Sequence, residues 1–392
     1  MHGMGKKLET SIQKVEKWVE DHNYKGYEPF DGLSSFLRPL TFGNLFLDRL
    51  LMQLIRQSPI NLRPIFGIKP LDSTIGRGYM ASGYLTMLKV TGNENYKAKA
   101  VSCLDWLMEN KSPAYSDYSW GKHFDYASRS GRYPQFEPIT IWTSLIGHVF
   151  FDAYEVLQEK KYLLVAESVC AWIMKLPRIQ TDSGHCLHYY PSEDEGSTCH
   201  NPNMMAAALL AKTAKHLGKT EQLYIAKEAM QYSCTRQLPD GAWYYGEKSQ
   251  YHWIDNFHSG YNLDSLKLYI EYTNDRSYEA NLSWGFKFYK EHFFDESGRP
   301  KYYHNRTYPI DSQCASQAIE TLTNFSDRDE SSLALALKVA QWTIDNMQDK
   351  EGYFYYRQYP LLKAKTPMLH WAQATTYKAL SLLLLKLKIN GA

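Results

Sequence analysis

Cysteine is scarce in this chain, and where it occurs it is alone. Its six copies, Cys103, Cys170, Cys186, Cys199, Cys234 and Cys314, are scattered singly with no C-x-x-C pair, which favours free thiols over a zinc cluster or disulfides. Cys103, Cys170 and Cys314 fall in apolar helical patterns and read as buried free thiols. Cys199-His200 is the one Cys-His neighbour pair, too little to hold a metal. No run approaches the roughly 20 apolar residues that span a bilayer, and Met1 to Lys7 offers no apolar leader. A cytoplasmic protein without membrane insertion is therefore expected. Neither sign of charge is in excess, with 44 Lys plus Arg against 42 Asp plus Glu, so no nucleic-acid partner is called for. Phosphate-cradling glycine loops, G-x-S-x-G and H-E-x-x-H are all missing. The variant Gly76-Arg77-Gly78-Tyr79-Met80-Ala81 follows a Pro-rich connector instead of a strand. The acidic run Glu193-Asp194-Glu195-Gly196 lacks the alternating spacing of a calcium hand. No cofactor and no metal are expected.

What is abundant is tyrosine, 31 residues in a chain that is 15% aromatic. That exceeds what a core needs, because each phenol wants a wet or hydrogen-bonded end. Many of these rings sit in strings after a glycine: Gly184 to Tyr190, Gly241 to Tyr245, Gly298 to Tyr303 and Gly352 to Tyr356, whose glycines lie 57, 57 and 54 positions apart. Between the strings the chain alternates small, apolar helices (Gly78 to Val90, Ile139 to Leu157, Asn203 to Leu217, Phe257 to Tyr272, Ile310 to Leu322, Met368 to Leu384) with helices charged on one side. A repeat of two helices and one short aromatic strand cannot bury its face alone and must stack on copies of itself. Lys6 to His22 resembles an outer helix without an inner mate, and Met368 to Leu384 an inner helix without an outer one. Pairing those ends closes a ring. The fold expected is all-α, an (α/α)6 toroid of one domain over residues 1–392, in which the helix Leu45 to Ile55 has no clear place.

Four small-residue helices begin near an X-Pro step, at Pro138, Pro202, Pro309 and Pro367, which suits a first helical turn. Their N-termini then gather at one end of the ring, where unpaired N–H groups favour hydroxyl-rich or anionic ligands. Glu137, His200, Asn201, Asp255, His258, Asp311, His370 and Trp371 fall at that rim, and loops add Trp120, Trp243, Tyr245 and Trp253. The stretch Tyr251 to Asp264 is the densest: Asp255 and His258 are three apart, on one helical face, an acid beside an imidazole. Asp255 could equally be a helix cap and His258 a hydrogen-bonded core residue. Carboxylates with stacked rings are what carbohydrate chemistry uses. Basic loops, Lys122 to Arg132 and Arg357 to Lys365, would suit an anionic sugar.

With this architecture the chain resembles the six-hairpin glycosidase superfamily, including the unsaturated glucuronyl hydrolases, and the N-acylglucosamine 2-epimerase type of barrel. Gly26-Tyr27-Glu28-Pro29-Phe30-Asp31-Gly32-Leu33 and Trp253-Ile254-Asp255-Asn256-Phe257-His258-Ser259-Gly260 resemble segments of uncharacterised proteins from bacterial capsule and exopolysaccharide clusters. The resemblance implies a sugar site in the ring. Matching the hydrolases, Asp255 would be the acid and base; matching the epimerases, His258 and His370 would flank the sugar. The leading expectation is a glycoside hydrolase with Asp255 as general acid or base, Glu137 or Asp311 as second carboxylate, His258 sharing the proton, and Trp120, Trp243, Tyr245, Trp253, His200, Asn201, His370 and Trp371 binding substrate. An epimerase or lyase, and a non-catalytic glycan-binding protein, are the alternatives. Two carboxylates at the mouth would favour the first; two histidines without such a pair would favour epimerisation.

Overall fold

A computed structural model describes residues 2–391 apart from Ser130 and Asp194; Asp194 of the acidic run thus lies outside the described residues. Thirteen α-helices carry the fold among them: α1 His2–Asp21, α2 Leu45–Gln57, α3 Thr74–Thr91, α4 Glu94–Glu109, α5 Thr140–Leu157, α6 Lys160–Met174, α7 His200–Leu217, α8 Thr220–Cys234, α9 Asn256–Thr273, α10 Glu279–His292, α11 Ser312–Asn324, α12 Glu330–Met347 and α13 Thr375–Gly391. A π-helical turn, Leu369–Ala374, leads into α13.

Helices α3, α5, α7, α9, α11 and α13 pack each on the next, and α13 returns to α3. The outer helices α4, α6, α8, α10 and α12 each cover the inner helix before them, and α1 covers α13. The chain is an (α/α)6 toroid, closed by the pairing of its two ends. Packing on two sides explains the composition: α7 is buried at every residue from His200 to Ala214, and a helix with neighbours all round has no polar stripe. Close approach also sets residue size. A Cβ on Gly83 of α3 would lie 2.4 Å from the Tyr377 ring of α13, so glycine is what lets these two helices seal the ring.

At one end of the ring the connections are tight. Gly92 and Gly218 end α3 and α7 in the left-handed conformation, φ +66° and +71°, and the next helix starts within two residues. At the other end the long aromatic loops enter the inner helices, and this is the mouth. Two local expectations are corrected here. Of the four X-Pro steps only Pro202 lies inside a first helical turn; Pro138, Pro309 and Pro367 precede their helices by two or three residues. The aromatic strings also do not form a strand each. Gly184–Leu187 pairs with Arg178–Thr181, but Gly298 to Tyr303 and Gly352 to Tyr356 make only isolated bridges, at Pro300, Tyr303 and Phe354, and Gly241 to Tyr245 makes none, the bridge there falling on Gly246 just beyond it.

The helix without a place in the repeat, α2, lies across the mouth. Asn44 caps it, Oδ1 accepting from the backbone N–H of Phe46 and Leu47 at 2.9 and 3.2 Å. Its residues Met52, Leu45 and Leu51 pack on Leu33, Tyr126 and Ala127 of the rim loops.

Candidate active site

The mouth opens into a cavity of about 790 Å³. First turns of the ring line it: Ile75 and Tyr79 from α3, Trp142 from α5, Asn201 from α7, His258 and Tyr261 from α9, Gln313 from α11, and His370 and Trp371 from the π turn. Loop rings, among them Tyr189, Tyr190, Tyr245, Trp253, Tyr302 and Tyr303, complete the wall, and Arg49, Gln53 and Arg56 of α2 form its cover. Burial raises the phenols of Tyr189, Tyr190, Tyr245 and Tyr302 above their ordinary range, so they face a ligand as neutral donors.

Two imidazoles reach this cavity, each backed by a buried carboxylate. Asp255 ends the loop before α9 as its N-cap, Oδ1 accepting from the His258 N–H at 3.0 Å. Its Oδ2 accepts from His258 Nδ1 at 2.7 Å and from Trp253 Nε1 at 2.9 Å. An ionised carboxylate can only accept, so Nδ1 carries a proton and Nε2 is the nitrogen left to exchange one. The second pair joins distant segments. His370 Nδ1 meets the Glu28 carboxylate, and both side chains are buried. Glu28 is held through its backbone: its N–H donates to Asp31 at 2.9 Å, and its C=O accepts from Arg63, whose Nε also pairs with Asp31 at 2.8 Å. The loop is docked on the π turn by the Leu369 N–H donating to Tyr27 O at 2.9 Å. Gly26 is required there, since a Cβ would stand 2.7 Å from that of Leu369.

Of the residues singled out by sequence, His258, Trp253, Asn201, His370, Trp371 and Tyr245 line the cavity, whereas Asp255, Glu137, Asp311, His200, Trp243 and Trp120 do not. Asp255 is 2% exposed and spent on its three donors. Asp311 is fully buried, where it accepts from Arg357 Nε at 2.5 Å, from Trp371 Nε1 at 2.7 Å and from the Gln313 N–H at 2.9 Å. It therefore positions Trp371 without touching the cavity. Glu137 stands outside and accepts from Ser192 Oγ at 2.8 Å. His200 lies between Ser233 Oγ and Glu247 Oε1, at 3.2 and 2.9 Å. Trp120 and Trp243 are pillars behind the wall, their indole N–H groups donating to Leu107 O and Ser233 O, each at 2.9 Å. Glu28, Trp142, Arg49, Arg56 and Arg306 have no signal in the sequence, because they come from segments outside the repeat, from helix positions with no motif or, for Arg306, from the loop between α10 and α11.

The charge of the wall is one-sided. Among the described residues that line it, Arg49, Arg56, Lys122, Arg129, Arg306 and Arg357 face a single carboxylate, Glu193. Glu193 is engaged by the Tyr189 N–H at 3.0 Å and by Ser197 Oγ. Among the described residues, Arg357 alone of these cations has a carboxylate partner, Asp311. Lys122 lies 4.2 Å from the Tyr126 ring and 5.2 Å from that of Trp142, with the Tyr190 hydroxyl 3.0 Å from Nζ. Burial pulls its ammonium down to about 7, opposed by the Glu28 carboxylate. Two amide oxygens, Asn201 Oδ1 and Gln313 Oε1, are buried behind this wall with no hydrogen-bond partner among the described residues, while Gln313 Nε2 donates to the Tyr261 hydroxyl at 2.7 Å.

No family model matches the chain, and no curated protein sequence does. Solved structures match it at the level of architecture. An α-mannanase of glycoside hydrolase family 76 from Bacteroides thetaiotaomicron superposes with a TM-score of 0.62 at 12% identity, over 81% of this chain and 87% of that one. A sugar epimerase from a ruminal bacterium gives 0.62 at 12% identity, over 83% and 90%. Cellobiose 2-epimerase from Spirochaeta thermophila gives 0.62 at 10% identity, over 82% and 86%. At these identities what is shared is the fold, the (α/α)6 toroid common to sugar hydrolases and sugar epimerases.

Proposed function

We propose that the protein is a carbohydrate-active enzyme that takes an anionic sugar into the ring and moves a proton on a sugar carbon, as an epimerase or isomerase. The observation that carries this reading is the pair of imidazoles, His258 on Asp255 and His370 on Glu28, lining one cavity whose sole lining carboxylate among the described residues is Glu193. Removing a proton beside a carbonyl needs a base on one face, an acid to return the proton, and donors for the developing enolate oxygen. One imidazole would accept the C–H proton as the bond's electron pair moves toward the carbonyl oxygen; the other would return a proton to the same carbon or its neighbour. The raised phenols and Lys122 are the donors available to the oxyanion. Asn201 and Gln313 add polar side chains to the wall, and the lining cations that have no carboxylate partner among the described residues suit a carboxylate, sulfate or phosphate on the sugar. The resemblance of two short segments to capsule and exopolysaccharide proteins agrees with a bacterial polysaccharide component as substrate.

Hydrolysis is the second reading, favoured by the fold shared with the family 76 mannanase. It needs two carboxylates about 5 to 10 Å apart at the bond, and Glu137, Asp255 and Asp311 would have to leave their present partners to supply them. The two separate in D2O. Uronic acids, acetamido sugars and their reducing oligomers are incubated with the protein and followed by NMR. Deuterium entering the carbon next to the anomeric centre, and lost in His258→Gln and His370→Gln, is the expected result. New reducing ends without deuterium would replace this reading by hydrolysis, and neither change would leave a binding protein.

A further inference from the structure

Helix α2 has three faces, and the outward one is apolar. Asp48, Met52 and Ile55 are buried. Arg49, Gln53 and Arg56 line the cavity. Phe46, Leu50 and Leu54, four residues apart, are 67, 44 and 61% exposed. The flanking chain continues this surface with Phe36, Leu40, Phe42, Ile60 and Ile65, each more than 60% exposed. Eight of the fourteen exposed large hydrophobic residues among those described thus fall within residues 36–65. Two more, Leu361 and Leu362, tip the hairpin formed by Arg357–Gln358 and Lys363–Ala364, beside the same mouth, where Tyr359 lines the cavity and Arg56 donates to the Tyr356 hydroxyl. Singly scattered exposed apolar groups are ordinary; a patch of several hundred Å² marks something that binds there.

The charges say what. Between residues 33 and 71 the only acidic residue is Asp48; of the five cations there, Arg63 is buried on Asp31 and Arg49 and Arg56 turn to the cavity, which leaves Arg38, paired with Asp125, and Lys69 exposed beside the apolar face. Asp48 is buried and paired with Arg132 at 2.6 Å. Lys363 and Lys365, both exposed, follow Leu362. A second copy of this chain laid on the patch would set like charges against each other, which is unfavourable at an interface. Phenylalanine and leucine flanked by the exposed Arg38, Lys69, Lys363 and Lys365 fit an anionic interface, the apolar side chains entering the acyl boundary and the cations meeting headgroups. No described helix is long and apolar enough to cross a membrane, so the contact would be lateral.

We propose that α2 and the 357–364 hairpin dock the mouth of the ring onto a lipid surface bearing anionic headgroups. This holds whichever reaction the cavity performs, and its test reads no activity. The full chain is sedimented with phosphatidylcholine vesicles, with and without phosphatidylglycerol. Partitioning is expected to be at least about tenfold greater on the anionic vesicles and to fall with added salt. The variant F46S/L50S/L54S loses it while keeping the helical circular-dichroism spectrum, because those side chains make up the solvent face. Leu361→Ser with Leu362→Ser weakens it independently, and Leu164→Ser, an exposed leucine on α6 away from the mouth, does not. Absence of partitioning in the parent, or equal partitioning in both patch variants, overturns the proposal. So does a parent dimer that F46S/L50S/L54S dissolves, which would make a second copy the occupant.

Discussion

Replacing Asp255 by Asn separates a positioning carboxylate from a mere cap. Asparagine caps helices about as well as aspartate, so α9 keeps its first turn through Oδ1 and the His258 N–H. The other oxygen becomes an NH2 facing two donors, His258 Nδ1 and Trp253 Nε1, now 2.7 and 2.9 Å away. Each hydrogen bond to the charged carboxylate is worth about 1.5 to 3 kcal/mol, and an indole N–H left without a partner costs about 1 to 3 kcal/mol. With partial relaxation a net loss of roughly 2 to 4 kcal/mol is expected in denaturant unfolding. His258 can escape the clash only by accepting at Nδ1, which moves its proton to Nε2 and removes the base from the cavity. General acid–base catalysis is typically worth 10²- to 10⁴-fold, and deuterium wash-in should fall by about that factor while binding of the sugar persists. Nitrogen-15 NMR of the imidazole reads the tautomer directly. A folded variant with unchanged wash-in would refute the assignment of His258 as a proton carrier held by Asp255.

Glu28→Gln should act on His370 in the same way, cutting wash-in by about 10²-fold or more with the circular-dichroism spectrum preserved; an unaltered rate would remove His370 from the chemistry. Lys122 must be charged to hold an anion, and burial has drawn it down to about 7, so affinity for an anionic sugar should fall as pH rises from 6 to 9, measured by calorimetry, and Lys122→Met should flatten that dependence. His148 is pulled down to about 4, chiefly by burial. The unfolded chain, with histidine near 6.5, takes up its proton first as pH falls, so the contribution is complete above about 6.5 and is lost toward 4, by up to about 3 kcal/mol. His148→Gln, able to keep the bond to Met205 O, should narrow the stability gap between pH 7.5 and 4.5 relative to the parent. Gly83→Ala puts a methyl group into the Tyr377 ring, and overpacking of about 1 to 3 kcal/mol outweighs the ~1 kcal/mol helix gain; a higher denaturation midpoint would contradict the seal.

Local pattern was enough for the ring. Helix periodicity, glycine spacing and the unmatched helices at the two ends depend on neighbours in sequence, and they led to twelve helices in a closed toroid. The same locality found the Asp255–His258 pair, three residues apart and joined by a cap. It could not find Glu28, whose partner His370 is brought to it only when the 23–35 loop crosses the closing seam and Asp31 and Arg63 pin its backbone. Nor could it tell which carboxylates face the cavity: Asp255 and Asp311 have the residue type of a catalytic acid, but folding places three donors on each and turns both away. Helix α2 had no role in the repeat because its role is to cover the mouth, and what lies beneath a cover is decided by loops far apart in the chain. Residue type and spacing determined the scaffold and the chemistry present; which groups share the cavity, and which are consumed in holding others, was decided by long-range packing, since burial and hydrogen-bond partners exist only after the ring has closed.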